Sequence, residues 1–286
     1  MSFNSKRIGK DTLLRNVIIL LSVLACVPLF LILGNVFIKG IGQFSLDFFT
    51  QTPPDTLSAK IALNNKEQIP GGIANGIVGT LMTVVIASII AIPLGLLCGI
   101  WLSEFRERKS AGVIRFIVEL LQGMPSIIIG IIAYLWIVVP TRTYSAFAGA
   151  ISLAIMMLPM IIRSTEESLR MLPHELKEAG LALGGSLYTV TFKVLIPTAF
   201  GGIMTGILLA ISRVIGETAP LMLTALGASA IQWNPMKPSS TISLLIWEFY
   251  NDPNLQSLIW SASLLLLILV LLLNLIAKQI AKQWKI

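Results

Sequence analysis

Six apolar stretches, each about long enough to cross a bilayer, restrict this chain to one kind of fold. They are residues 17–38, 73–103, 113–139, 146–163, 199–229 and 257–279. A helix needs about 20 residues to cross the hydrocarbon core. Lipid offers no water to a backbone N–H or C=O, so a crossing segment satisfies its own polar groups as a helix. Charged residues make up only 12% of the 286, and the mean hydropathy is +0.85. A soluble domain carries about twice that share of charge. The expectation is therefore an all-α, polytopic membrane protein with six transmembrane helices.

Lys and Arg gather on the cytoplasmic side of such helices. Fifteen of the 21 fall on one side: Lys6, Arg7, Lys10, Arg15; Arg106, Arg108, Lys109, Arg115; Arg163, Arg170, Lys177, Lys193; and Lys278, Lys282, Lys285. Five fall on the other, at Lys39, Lys60, Lys66, Arg142 and Lys237, and Arg213 remains inside a stretch. Both termini are thus expected in the cytoplasm. The net charge of +7 belongs to these flanks, which makes membrane lipid the partner and gives no footing for nucleic acid. The first stretch is too long for a signal-peptide core and lacks a small-residue cleavage site, so no secretory signal is expected. Cys26 and Cys98 lie in stretches, where they behave as small hydrophobes rather than a disulfide framework. His174 has no companions for a metal site, and Met156, Met157 and Met160 fit packing. The stretches outside the membrane, 40–72 and 230–256, lack the periodicity of an independent domain; they are connectors, or cover the outer mouth, or receive a partner.

The first five stretches each hold a proline: Pro28, Pro93, Pro125, Pro159 and Pro220. Neighbouring helices or cavity water can satisfy the freed backbone groups. Stretches two and five are long enough to tilt or to include a break. The fifth also carries Arg213 and Glu217, four residues apart and so on one helix face. A charge at the bilayer centre costs about 3 kcal/mol on insertion scales, so both must be hidden from lipid. Two readings stay open: an ion pair locking the helix to a neighbour, or the lining of an anion path. Arg suits the second, because its planar fork donates to two oxygens and stays charged. Counting from Pro197 as the interface, Arg213 lies sixteen residues, or about 24 Å, deep. On that reading an arriving anion would compete with Glu217 for Arg213. Thr218 could add a hydroxyl, and Gly216 with Pro220 could break the helix and free backbone donors. Glu119, with Gln122, is a second polar spot, either a partner for Arg213 or interfacial.

Residues 164–197 follow the fourth stretch on the basic side. Their middle reads as a short helix, with Pro173 suited to its first position and Gly184-Gly185 to its end. Glu175 and Glu178 fall early, where the helix dipole favours acids. Leu172, Leu176, Ala179 and Leu183 form a narrow apolar stripe. Such a helix either docks into a groove on another protein or lies on the membrane surface.

Glu178-Ala179-Gly180, three residues, Gly184, nine residues and Val194-Leu195-Ile196-Pro197 resemble the EAA loop of ATP-binding-cassette (ABC) importer permeases. That pattern is Glu-Ala-Ala, Gly and Ile-x-Leu-Pro at the same spacing, so Gly180, Val194 and Ile196 depart mildly from it. Further stretches are similar to the phosphate-specific branch of these permeases: Gly71-Gly72-Ile73 with Gly79-Thr80-Leu81, Gly123-Met124-Pro125-Ser126-Ile127, Thr165-Glu166-Glu167-Ser168-Leu169, and Arg213 through Pro220. The similarity runs from about residue 70 to 230. The resemblance implies the type I importer permease (MetI-like) fold and a phosphate channel subunit. Residues 1–16 would be a cytoplasmic N-terminus, 17–70 the first helix with its external loop, and 71–284 the permease core. It implies a substrate path at Arg213 and Glu217, to which the residue reading adds Thr218 and Glu119, and ATPase coupling through Glu178, Ala179, Gly180 and Gly184, with Glu175 on the same short helix. It also implies partners: a second permease subunit (PstC-like), two ATP-binding subunits (PstB-like) that hold ATP and Mg, and an external phosphate-binding protein (PstS-like). No cofactor is expected in this chain, which has no G-x-x-x-x-G-K-[ST] phosphate loop, and no metal. It also lacks H-E-x-x-H and G-x-S-x-G, so it is not expected to be an enzyme. The alternatives are a permease for another oxyanion, such as molybdate, sulfate or phosphonate, and an ion-coupled secondary transporter.

Overall fold

The computed structural model describes residues 2–65 and 67–283, with side chains from Leu14 onward. Lys66 and Lys285, and the side chains of Lys6, Arg7 and Lys10, lie outside the described residues. Helix α1 (Ser2–Gly40) runs through Pro28 without interruption. Two short helices follow, α2 (Leu46–Thr50) and α3 (Thr56–Asn64), and then the long α4 (Ala74–Glu104). Next come α5 (Lys109–Gly123), α6 (Ser126–Ala133) and α7 (Val139–Thr141), the last two joined by a π turn. α8 (Ala146–Arg170) leads to α9 (His174–Ala182). α10 (Leu187–Val190) passes through a second π turn into α11 (Ile196–Ile215). The chain closes with α12 (Ala219–Thr224), α13 (Ile242–Tyr250) and α14 (Gln256–Gln283). Among the described residues the only β pairing is an isolated bridge between Leu226 and Ser239.

Five helices are long and apolar enough to cross a membrane, and the α5–α7 pair makes six when counted as one crossing. The third stretch departs from the straight span over 113–139 that the sequence predicts: it bends by 105° between Gly123 and Ser126. Pro125 is the cause. It has no N–H to offer, and it drives Met124 into an extended conformation (ψ 137°). Pro28, Pro93 and Pro159 lie inside unbroken helices. Stretch four runs on to Arg170 rather than ending at 163, and stretch five begins at Leu187 rather than 199. The connection at 164–197 is thus mostly helix, and Pro197 lies within one continuous helical run from Leu187 to Ile215. Pro173 caps α9 from outside rather than opening it.

α8 is the axis of the molecule, with 67% of its apolar stretch buried, whereas that of α1 has no buried residue. α4 and α11 flank α8, and the core is built from Ala87, Ala91, Leu153, Met157, Ile161 and Ile207. α1 lies against α14, where Ser261 donates to the Gly40 carbonyl (2.6 Å) and Lys39 stands over the Trp260 ring (4.7 Å). The two external stretches pack on each other through Phe48, Ile73, Ile242, Leu245 and Leu258, forming a cap that includes the unforeseen α13.

Gly79 of α4 lets the chain at Ser240 approach so closely that a β-carbon there would lie 1.9 Å from the Ser240 carbonyl oxygen. That oxygen is backbone and cannot rotate away. Gly79→Ala should therefore destabilise the cap by about 1–3 kcal/mol. The loss would be visible as a lower thermal unfolding midpoint of the detergent-solubilised protein.

Candidate functional site

α8 and α11 run antiparallel in a fixed register. Gly202 packs on Ser168, Gly206 on Ser164 and Leu221 on Gly149, and the Thr224 carbonyl accepts from the Ser145 N–H at 3.0 Å. The register is the same on both sides of Gly216, so α12 continues the line of α11 across a break. Arg213 stands seven residues beyond Gly206, level with Met157, seven before Ser164. Met157 is fully buried near the middle of α8, so Arg213 stands level with the middle of that helix.

The Arg213 side chain is 45% exposed and that of Glu217 20%. Their closest approach, Nε to Oε1, is 3.9 Å, too long for a hydrogen bond. Neither side chain bonds to any other described residue. The break is closed locally: the Gly216 N–H bonds to the Arg213 carbonyl (3.4 Å) and the Glu217 N–H to Val214 (3.2 Å). Those two backbone donors are consequently not free for an anion. Ser243 fixes the Glu217 backbone by donating to its carbonyl at 2.8 Å. Thr218 precedes α12 but makes no side-chain cap.

Glu119 is not the partner of Arg213. Its carboxylate accepts from Arg163 Nη2 at 2.5 Å. Arg163, but not Glu119, lines a groove of about 580 Å³ together with Gln122, Ser164, Glu167 and Ser168, and with Thr205 and Leu209 of α11. Gly202, Thr205, Leu209 and Arg213 recur at helical spacing, so the groove follows the face of α11 that Arg213 occupies, on the basic side of it. The polar residues of α8 in this groove are the ones that sequence reasoning missed. Their spacing at 163, 164, 167 and 168 is a helical stripe, but it lay within what reads as a loop.

On the basic face, α9 has no buried residue. Glu175, Glu178, Ala179 and Leu183 are exposed, the last at 90%. Glu178 reaches His174 Nδ1 at 3.1 Å. Leu172 and Leu176 are half-buried against their own chain, so the predicted stripe divides and only its second half faces outward. Gly180 faces inward: a β-carbon there would meet Val190 at 2.9 Å, which explains glycine where the family pattern has alanine. Gly184 ends the helix with φ +83°, a left-handed conformation that a Cβ disfavours. Lys177 ties α9 to the end of α4 through Glu104 at 2.5 Å. Nearby, buried Glu166 accepts from Arg115 (2.8 Å) and pairs with Arg170 (3.3 Å), while Arg115 also donates to the Leu102 carbonyl at 3.0 Å. The two positive partners offset the cost of burying that carboxylate, and the cluster locks α4, α5 and α8 together.

A family model described as the binding-protein-dependent transport system inner membrane component matches residues 91–286. The chain is 36% identical to the phosphate transport system permease protein PstA of Xylella fastidiosa (strain 9a5c), over 87% of this chain and 84% of that protein. It is 37% identical to the same-named protein of Yersinia pestis, over 87% and 82%. With the probable PstA of Methanocaldococcus jannaschii it shares 35% identity over 93% and 91%. Among solved structures, an inward-facing MetNI methionine ABC transporter chain superposes with a TM-score of 0.58 at 21% identity, covering 74% of this chain and 94% of that one. A chain of an amino acid ABC transporter gives 0.55 at 14%, covering 80% and 99%. At such identities these two likenesses bear on the fold alone.

Proposed function

This chain belongs to the binding-protein-dependent transport inner membrane components and, within them, to the phosphate permeases of PstA type, and on that footing we propose how it carries its anion. It is the transmembrane channel subunit of an ABC importer of inorganic phosphate, a multi-pass protein of the inner (plasma) membrane. ATP hydrolysis takes place in partner subunits, which bind the ATP and Mg, and this chain is not itself an enzyme. The partners are a second permease, two ATPases below and a phosphate-binding protein above.

The observation that carries the reading is Arg213, a half-exposed guanidinium at mid-depth with no hydrogen-bonding partner among the described residues. Facing lipid, it would cost about 3 kcal/mol or more. A second permease laid over that face removes the cost and closes the open groove of α8 and α11 into a path. Phosphate loses hydration on entering, and the guanidinium fork replaces part of it. Glu217 balances the charge while the path is empty, Thr218 offers a hydroxyl, and Glu119 holds Arg163 beside the groove. α9 presents Glu175, Glu178 and Ala179 to the ATPase, with Gly180 seating the helix on Val190 and Gly184 ending it. Closure of the ATPases would push α9, and Lys177–Glu104 would carry that push into α4. The core at 71–284 does this work, with 17–70 at its edge.

The test is uptake into proteoliposomes holding the reconstituted complex. Labelled phosphate should enter only with ATP, and excess sulfate, molybdate or phosphonate should compete poorly. Uptake driven by an ion gradient without ATP would overturn the reading.

A further inference from the structure

An arginine fork accepts any tetrahedral oxyanion, so Arg213 alone leaves the channel indifferent between phosphate and sulfate. We infer that Glu217 is the residue that makes the difference, by accepting a hydrogen bond from the proton that phosphate carries and sulfate does not. The inference rests on the phosphate-channel reading above and goes beyond it.

The geometry is that of a paired donor and acceptor with a gap between them. Nε of Arg213 and Oε1 of Glu217 are 3.9 Å apart, and neither is satisfied by the other or by any other described residue. The oxygen–oxygen edge of a tetrahedral oxyanion is shorter than this gap. One of its oxygens can accept from the guanidinium while a neighbouring one reaches the carboxylate, each at about 2.6–2.9 Å. The anion thus bridges the pair and need not displace Glu217, which differs from direct competition for Arg213. The carboxylate is held for this. Its backbone is pinned by Ser243, and the turn at Gly216 keeps it beside α11 rather than letting it follow α12.

Chemistry decides which anions can bridge. An ionised carboxylate is acceptor-only. Phosphate and arsenate keep at least one P–OH or As–OH at neutral pH and can donate it. Sulfate and molybdate hold no proton there, so their oxygens would face the carboxylate lone pair to lone pair. At mid-membrane depth, water does little to screen that repulsion. A site built around a hydrogen bond rejects analogues that cannot make it by factors far larger than shape alone provides.

The experiment measures labelled phosphate bound by the purified permease–ATPase complex without the external binding protein, which would otherwise select the anion first. In the wild type, arsenate should displace phosphate at equal concentration, and sulfate only at about 100-fold excess or more. Glu217→Gln offers an N–H as well as a carbonyl and should bring the sulfate excess below about tenfold, with arsenate unchanged. Glu217→Asp keeps the acceptor and should keep sulfate out. Sulfate matching arsenate in the wild type, or Glu217→Gln excluding sulfate as the wild type does, overturns the assignment while leaving the channel reading in place. Wild-type binding that Arg213→Ala does not reduce would bring down the channel reading and this inference together.

Discussion

Arg213→Ala should lower ATP-driven phosphate uptake by about 30-fold to a few thousand-fold while the complex still assembles. Removing one side of a desolvated, hydrogen-bonded charge pair costs about 2–5 kcal/mol, and each 1.4 kcal/mol is a factor of ten. Among the described residues the side chain makes no hydrogen bond, and its only ionic neighbour there is 3.9 Å away. Its loss therefore removes little that holds this subunit together. Arg213→Lys keeps the charge and loses the fork, so it should fall between the two. The measurements are initial uptake rates in proteoliposomes and co-purification of the partner subunits. If the alanine variant no longer assembles, Arg213 is an interfacial lock and the anion site lies elsewhere.

Leu183→Asp should release the ATPase subunits, weakening their association by about 100-fold or more and silencing uptake. Leu183 is 90% exposed at the end of α9, so the folded chain loses almost nothing when it changes. Burying a leucine in a partner groove contributes about 1.5–3 kcal/mol, and an unpaired carboxylate placed there adds a penalty of similar size. Leu172 provides the contrast. It packs against the core, so Leu172→Asp should lower the thermal midpoint of the permease itself. Pull-down of the ATPase and phosphate-dependent ATP hydrolysis report the first effect. An L183D complex with full hydrolysis would show that the motor grips another surface.

Much of this was legible in the chain. Runs of apolar residues fixed the number of crossings, because lipid leaves a backbone no alternative to self-pairing. Basic flanks gave the orientation, and Gly184 announced a helix end because only a residue without Cβ adopts φ +83° cheaply. The role of each proline was not legible. Pro125 breaks a helix while Pro93 and Pro159 do not, and the local sequence around them does not say which. Likewise Glu119 read as a partner for Arg213 or as interfacial, and only the structure pairs it with Arg163, since sequence spacing carries no distance between helices.

Composition and pattern thus determined what must be hidden from lipid: six helices, one cation within the membrane and one acid beside it. Only the packing of α11 on α8 decided how deep Arg213 sits, that its guanidinium stays open on one side, and that Glu217 stops 3.9 Å short of it. The cost of hiding a charge is local to its residue, whereas depth, exposure and gap depend on the register between helices far apart in the chain. That register is set by small residues such as Gly202 and Gly206 seating on Ser168 and Ser164.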